Sequence, residues 1–197
     1  MRTILSRWCF VAAALLLSGC AGTDFVRPDD SLLVNGRTTY AQIVARMGMP
    51  TREGTVLKNE KTIDTASYAY ANVGGKALHE GVTPARAITF YFVGGMLVGR
   101  EFVSSFAEDH SDFDENRVKD IIKGKTTRAE LMQLFGKPGG YYIHPMIKSE
   151  KGEAAVYVFS ETRGSAFNLK FFRKTLVVTF DAAGVTSDVD FSSSGSR

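Results

Sequence analysis

The sequence predicts an α+β protein built from two tandem αβββ repeats, each a short helix followed by a three-stranded antiparallel sheet. The first observation is an internal match, because residues 33–50 align without a gap with residues 121–138 and share six of eighteen positions. The second is a helix-start signal in each copy, and the third is a series of apolar strand-like segments after it. A lone three-stranded sheet leaves one face uncovered, so we expect the two repeats to share one core.

The predicted helices begin at Thr39 and Thr127. Gln42 and Glu130 follow these threonines by three residues, which is the spacing of a capping box. Two apolar residues four positions apart lie on one face of each helix. A glycine and then a proline follow each segment and end the helix after about two turns. Asp112 or Asp114 is predicted to cap a further helix over roughly residues 115–122.

Three apolar segments follow each helix. They are residues 68–70, 88–92 and 96–103 in the first copy, and residues 157–159, 176–180 and 185–191 in the second. Alternation places Ile88, Phe90 and Phe92 on one face of a strand. Glycine-containing turns connect the second and third segments of each copy, so these segments are predicted to form hairpins. Residues 51–64 and 139–153 are predicted to be long polar loops.

Residues 1–19 predict a bacterial lipoprotein signal peptide. Arg2 and Arg7 precede an apolar run over residues 8–17, which is too short to cross the roughly 30 Å core of a bilayer as a helix. Residues 17–20 read Leu-Ser-Gly-Cys, which resembles the lipobox in which the cysteine is acylated, with palmitate among its chains. Cys20 is therefore the candidate lipid-attachment site. The alternative is ordinary secretion that leaves Cys20 as a free thiol.

Cleavage before Cys20 defines the expected domain organisation. Residues 20–28 would form a lipidated tether, 29–106 the first repeat, 107–191 the second repeat, and 192–197 a disordered tail. Three acyl chains on Cys20 would hold the protein permanently on a membrane. An aspartate after the lipidated cysteine retains lipoproteins in the inner membrane, so Ala21 favours the outer membrane, on its periplasmic side.

Composition and motifs exclude several classes of function. Removing residues 1–19 leaves 22 basic against 21 acidic side chains, a balance that argues against a nucleic-acid partner. The triplet at 124–126 resembles the end of a P-loop without its upstream glycine. The acidic run over 108–115 lacks the EF-hand pattern and is predicted to be a linker. The sequence therefore predicts no catalytic residues, metal ligands, cofactor or small-molecule substrate.

The ordered set of caps, turns and strands resembles the BamE (SmpA/OmlA) family of outer-membrane lipoproteins. The second copy resembles it best, through Gly-Lys-Thr-Thr at 124–127, Gly-Lys-Pro at 136–138 and Val-Thr-Phe-Asp-x-x-Gly-Val at 178–185. That family has one such unit, and the tandem form is similar to the β-lactamase inhibitor protein. The resemblance implies a periplasm-facing adaptor without catalysis, with the β-barrel assembly machinery as the expected partner.

Four aromatic residues are candidate partner contacts: Tyr141, Tyr142, Phe171 and Phe172. Adjacent aromatic side chains cannot both point inward from one strand, and protein interfaces favour such anchors. The alternative is packing of loops against the neighbouring helix. Basic residues beside the second pair, including Lys170, are candidates for contact with lipid headgroups or an acidic partner.

Together these features predict a non-catalytic outer-membrane lipoprotein that acts as a protein-binding scaffold or adaptor. Its role would lie in β-barrel assembly or in envelope maintenance. Two alternatives stay open, namely an inhibitor of a periplasmic or secreted enzyme and an envelope protein that binds lipid or peptidoglycan. The lipid anchor and the lack of cysteines for disulfides count against the inhibitor.

Overall fold

The computed structural model describes residues 22–164 and 167–196, so the predicted signal peptide and Cys20 lie outside the described residues. The described residues form one antiparallel sheet of eight strands, in which the strands pair in chain order. The strands are β1 (Arg52–Lys58), β2 (Lys61–Ala71), β3 (Ala85–Val93), β4 (Met96–Ser104), β5 (Gly140–Ile143), β6 (Glu153–Arg163), β7 (Lys170–Phe180) and β8 (Thr186–Gly195). The helices are α1 (Tyr40–Met47) and α2 (Arg128–Phe135), and 3₁₀ turns cover Asp30–Leu32 and Glu115–Asp120.

The predicted fold class, two tandem αβββ repeats, is wrong. The structure has one continuous sheet, because β4 of the first half pairs with β5 of the second through Gly99–Tyr142 and Arg100–Tyr141. Each half contributes four strands, and the additional strands β1 and β5 lie within the segments predicted to be loops. β1 is exposed along its whole length and β5 has only four residues, so neither shows the long alternation that marks a half-buried strand.

Both helices begin and end where the sequence predicts. The hydroxyl oxygens of Thr39 and Thr127 accept hydrogen bonds from the backbone N–H groups of Gln42 and Glu130, whose side chains accept from the threonine N–H groups. The glycine that ends each helix has a φ of 78° in α1 and 75° in α2, in the left-handed region that favours glycine. The two capping boxes are therefore confirmed. The third predicted helix is a 3₁₀ turn capped by Asp114.

The core lies mainly between the two helices and one face of the sheet. Ile43 of α1 and Leu131 of α2 are completely buried. Ile43 packs with residues of β2–β4 that include Phe90, and Leu131 packs with residues of β5–β7 that include Phe159. A smaller cluster on the opposite face contains Tyr142, Ile147, Ala154, Val156 and Val158. The loop after β5 supplies Ile147, so this loop covers the middle of the second face.

The expected tether and tail are both part of the fold where they are described. Gly22 forms an antiparallel bridge with Tyr70 at the end of β2. The ring of Phe25 lies 6.4 Å from that of Tyr68. Arg27 donates a hydrogen bond to the Pro138 carbonyl oxygen at 3.2 Å. At the other terminus, residues 192–195 extend β8 where a disordered tail was predicted. The sheet itself stays open, with β1 and β8 as its edge strands.

Candidate functional site

The candidate lipid-attachment residue, Cys20, lies two residues before the point at which the described chain joins the sheet. That point is Gly22, which has a φ of +70°. A Cβ atom at this position would lie 2.1 Å from the backbone oxygen of Ala69, so the close approach to β2 requires glycine. The described chain is therefore fixed to the sheet at its first residue, Gly22.

Tyr141 and Tyr142 lie on opposite faces of β5 in the middle of the sheet. Tyr142 is 7% exposed, and its hydroxyl donates a hydrogen bond to Glu101 at 2.6 Å. Burial and the charge of Glu101 raise the pKa of Tyr142 well above its usual range. Tyr141 is half-buried, with the guanidinium carbon of Arg100 5.0 Å from its ring centroid. Packing within the sheet explains both tyrosines, and this leaves Tyr142 without the exposure a partner contact needs.

Phe171 and Phe172 lie at the start of β7 and also point to opposite faces. Phe172 is half-buried and packs against the core on the helix side. Phe171 is 61% exposed. Of the four predicted contact residues, Phe171 is thus the one whose side chain is largely accessible, and its role stays a prediction.

The structure brings together a group of charged side chains that the sequence did not single out. His79, Asp112, Glu161 and Lys174 meet where the segment between the two halves packs on β6 and β7, and we call them the junction cluster. Nδ1 of His79 lies 2.7 Å from a Glu161 oxygen, and Nε2 lies 3.7 Å from an Asp112 oxygen. The imidazole therefore lies between two carboxylates that come from different parts of the chain.

The buried members of the junction cluster are paired. The Lys174 side chain is 3% exposed, and its Nζ lies 2.7 Å from Asp112 Oδ1 and also donates to the Phe113 carbonyl oxygen. The Glu161 side chain is 1% exposed and has Arg163 Nε 3.1 Å from its second oxygen. Removing one member of such a pair would leave a buried charge uncompensated, so the cluster holds its elements together as a unit.

The junction cluster also borders a surface depression of about 460 Å³, which His79, Asp112 and Lys174 line. Both ring nitrogens of His79 already face carboxylates, which favours a structural role for this side chain. Within residues 22–164 and 167–196, no group of three or more His, Cys, Asp or Glu side chains is arranged to hold a metal ion.

Part of the junction cluster had a detectable signal in the sequence. Alternation along β6 and β7 places Glu161 and Lys174 on the same face as Phe159 and Leu176, which are buried. A charged residue at an inward position of an apolar strand indicates a buried ion pair. His79 and Asp112 lie in connecting segments, where no periodicity reports on burial.

A second charged site lies where the two halves meet. Arg100 is 3% exposed and donates hydrogen bonds to Asp30 at 3.1 Å and to the Leu33 carbonyl oxygen at 2.9 Å. Burial by itself raises the pKa of Asp30, but the hydrogen bond from Lys137 and the charges of Arg27 and Arg100 outweigh it and lower the pKa. The Asp30 carboxylate is therefore held ionised in the folded protein.

The face of the sheet opposite the helices has an accessible region, which we call the open face. Its members are Thr65, Ser67, Thr89, Tyr91 and Arg173, of which Arg173 is exposed and the other four are half-buried. The hydroxyls of Ser67 and Thr89 lie 3.0 Å apart across β2 and β3. Thr65, Ser67 and Thr89 have small side chains, while Tyr91 and Arg173 are of the types that dominate binding energy at protein interfaces.

The two α-helices in the described part of the chain have eight residues each, and no helix there is both long and apolar enough to cross a membrane. The chain matches no protein-family model and no curated protein. The resemblance to the BamE family therefore has no support from a matching family model.

Among solved structures, the chain is similar to a Streptococcus mutans protein provisionally assigned as a β-lactamase inhibitor protein. The identity is 16%, the TM-score is 0.39, and the match covers 79% of this chain and 82% of the other. A TM-score this low supports no functional argument.

Proposed function

We propose that the protein is a non-catalytic, lipid-anchored protein of the bacterial outer membrane that faces the periplasm and binds another envelope protein through its open face. The observation that carries this proposal is the position of Cys20. It ends a lipobox-like sequence and lies two residues before Gly22, where the chain joins the sheet. Acylation of Cys20 would therefore hold the whole fold at a membrane surface.

A binding role, rather than catalysis, is favoured by the way the ionisable groups are used. General acid–base catalysis needs a group positioned to exchange a proton with a substrate. In the junction cluster the groups pair with each other, and at the second site Arg100 and Asp30 pair with each other. These charges support the architecture between the halves and leave recognition to the surface.

The open face supplies the surface for that recognition. Arg173 has a side chain that is 48% exposed and lies 3.3 Å from Glu101, so it is held over the face by an ion pair. Tyr91 stands beside it, with its ring 5.6 Å from that of Tyr142. Thr65, Ser67 and Thr89 on the same face have small side chains, and we propose that a partner contacts Tyr91 and Arg173 beside them.

The first experiment tests the anchor. Cells expressing the full-length chain are labelled with an alkyne analogue of palmitate, and the mass of the mature protein is measured by mass spectrometry. We expect label on the wild type, a mass that starts at residue 20 with added acyl chains, and no label on Cys20→Ala. An unlabelled wild-type protein would contradict the proposed anchor.

The second experiment tests the partner. Tagged full-length protein is purified from gently solubilised envelopes together with Arg173→Glu on the open face and Arg37→Glu as a matched charge reversal on an exposed residue away from it. We expect an envelope protein, with components of the β-barrel assembly machinery as the leading candidates, to co-purify with the wild type and Arg37→Glu but not with Arg173→Glu. A single stoichiometric periplasmic enzyme would favour the inhibitor alternative, and an empty eluate would contradict a protein partner.

A further inference from the structure

We propose that one end of the sheet rests on the membrane, and that exposed apolar and basic residues at this end contact a bilayer containing anionic phospholipid. This inference rests on the proposed lipid anchor and adds a second, non-covalent contact with the membrane. We call this end of the sheet the anchor end and define it by Gly22, Val73, Lys76, Phe167 and Lys170.

The predicted anchor residue, Cys20, lies only two residues before Gly22, where the described fold begins. Gly22 is held against β2 by its bridge to Tyr70. Two residues can span at most about 7 Å, so a lipid on Cys20 would be attached within that length of chain from Gly22. A lipid on Cys20 would leave the domain no flexible spacer, and the surface around Gly22 must then face the headgroups.

The β6–β7 hairpin lies at the same end of the sheet as Gly22. The backbone N–H of Thr83 donates to the Thr162 carbonyl oxygen at 3.0 Å, and Val82 forms a bridge with Arg163. Gly22 and Thr162 also line one depression of about 250 Å³. The hairpin is therefore a neighbour of the point where the chain enters the fold.

Four exposed apolar side chains lie at this end of the sheet. Val73, in the turn after β2, is 90% exposed, and Phe167, in the β6–β7 connection, is 101% exposed. Leu169 and Phe171 follow at 46% and 61%. Apolar side chains of this kind, next to basic residues, are typical of surfaces that insert into the headgroup region of a bilayer.

This end of the sheet also carries exposed basic side chains. Residues 162–180 contain four basic residues and no acidic residue. Lys174 is buried against Asp112, and Arg163 and Arg173 form ion pairs with Glu161 and Glu101, so Lys170 is the residue of this segment proposed to meet lipid. Lys76 and Lys170 are exposed.

The acidic residues at this end include Asp24, Glu80, Glu108 and Asp109. Glu80 is exposed, and the guanidinium of Arg86 lies 3.9 Å from Asp24, 2.7 Å from Glu108 and 2.9 Å from Asp109, so part of the acidic charge is compensated. An anionic headgroup is the ligand that this combination of basic and apolar side chains fits. Phe171, predicted as a protein contact, is thereby assigned to the membrane.

The fluorescence of a single introduced tryptophan can report on this contact. Trp8 is its single tryptophan and precedes residue 20, so a tryptophan introduced into residues 20–197 reports on one position. Phe167→Trp places the probe at the anchor end. Leu57→Trp is the matched control, because Leu57 is 72% exposed and lies in β1 beside the hairpin turn at the opposite end of the sheet.

Cys20 is the single thiol in residues 20–197, and all described helices and strands lie within this range. Coupling Cys20 to a maleimide lipid in vesicles of phosphatidylglycerol and phosphatidylcholine therefore anchors the folded chain whether or not the cell acylates it. With brominated phospholipids in the vesicles, we expect the fluorescence of Phe167→Trp to fall at least about twofold and that of Leu57→Trp to stay unchanged. Unchanged fluorescence of Phe167→Trp, or equal quenching of both variants, would overturn the proposal.

A second measurement isolates the charge contribution. Residues 20–197 carrying Cys20→Ser and Phe167→Trp are titrated with the same vesicles, and the blue shift of the emission gives the affinity. Lys170→Glu should weaken binding by at least about fivefold, because each basic residue contributes about 1 kcal/mol near an anionic surface. Lys58→Glu, at the opposite end, should leave binding unchanged. Equal affinities for all three chains would contradict the role of Lys170.

Failure of this inference is separable from failure of the proposed function. Absence of acyl label in cells would remove the natural anchor while the coupled chain still shows whether the anchor end contacts lipid. Conversely, a labelled protein whose Phe167→Trp variant is not quenched would keep the lipid anchor and overturn the second contact. A blue shift produced only by added envelope protein would assign the anchor end to a protein partner and overturn the proposal.

Discussion

β1 and β5 each follow the α-helix of their half, yet they lie in opposite surroundings. β1 is an edge strand in which every residue is exposed, whereas β5 lies in the middle of the sheet with Gly140 and Tyr142 buried. β5 pairs with β4 at two positions and with β6 at four. Position in the sheet, rather than local sequence, therefore determines which of these strands tolerates substitution.

The largest expected effect is that of Gly140→Ala in β5, and Gly54→Ala in β1 is the matched substitution. In Gly140→Ala the new Cβ would lie 1.8 Å from the Arg100 carbonyl oxygen, so β4 and β5 must separate. We expect the free energy of unfolding to fall by about 3 kcal/mol or more. In Gly54→Ala of β1 the closest atom is the Thr65 hydroxyl oxygen at 3.4 Å, and we expect a change within about 0.5 kcal/mol. Urea unfolding measures both, and equal losses would contradict the distinction.

Asp30→Asn tests the charged contacts between the halves. The variant removes the charged acceptor of Arg100, which is 3% exposed, and should lower the free energy of unfolding at pH 7 by about 2 kcal/mol. Because the folded-state pKa of Asp30 is lowered, the carboxylate's stabilising contribution is complete above the unfolded pKa of about 4 and is lost as pH falls through the folded value. Unfolding measured from pH 7 to pH 2 should therefore show a smaller acid-induced loss in the variant. An identical pH profile would contradict this role.

The helix caps should respond alike in the two halves. Thr39→Ala and Thr127→Ala each remove a side-chain acceptor from the N–H group at the third helical position. We expect each variant to lose about 1 kcal/mol of unfolding free energy, since the caps have the same geometry and both lie at the surface. Thermal or urea unfolding measures the loss in both variants. A loss confined to one variant would mean that the two helices are not equivalent supports of the sheet.

Asp188→Asn should have the smallest effect. Lys123 Nζ lies 2.5 Å from Asp188, and its hydrogen bond lowers the Asp188 pKa, but the two side chains are 57% and 63% exposed. Exposed pairs contribute about 0.5 kcal/mol or less and are screened by salt. We expect the difference from wild type to vanish in 1 M NaCl, while the loss caused by Asp30→Asn persists. A large, salt-independent loss would show that the β8 edge is more tightly held than its exposure indicates.

Local signals in the sequence predicted the local structure. The threonine caps, the glycine after each helix and the aromatic alternation of β3 correctly located both helices and the β3–β4 and β7–β8 hairpins. These features depend on interactions between residues close together in the chain. For the same reason they are independent of how the two halves are joined.

The remaining architecture depends on contacts between distant residues. β5 becomes a strand because β4 and β6 lie on either side of it, and its four residues are too few to show periodicity. The same pairing buries Tyr142, which the sequence placed among the partner contacts. His79 and Asp112 join the junction cluster through loop packing, which no residue pattern reports. Cys20 was predicted from a motif, and it lies outside the described residues.

The two edge strands of the sheet affect whether neighbouring copies of the chain would associate. An edge strand offers unpaired N–H and C=O groups to which another copy of the chain could add, and confinement to two dimensions on a membrane would raise the local concentration of copies. β1 carries Arg52, Glu53 and Lys58, and β8 carries Asp188 and Asp190. Charged side chains on edge strands discourage the growth of a sheet from one molecule into the next. The edges therefore favour a surface of separate molecules over a continuous fibril.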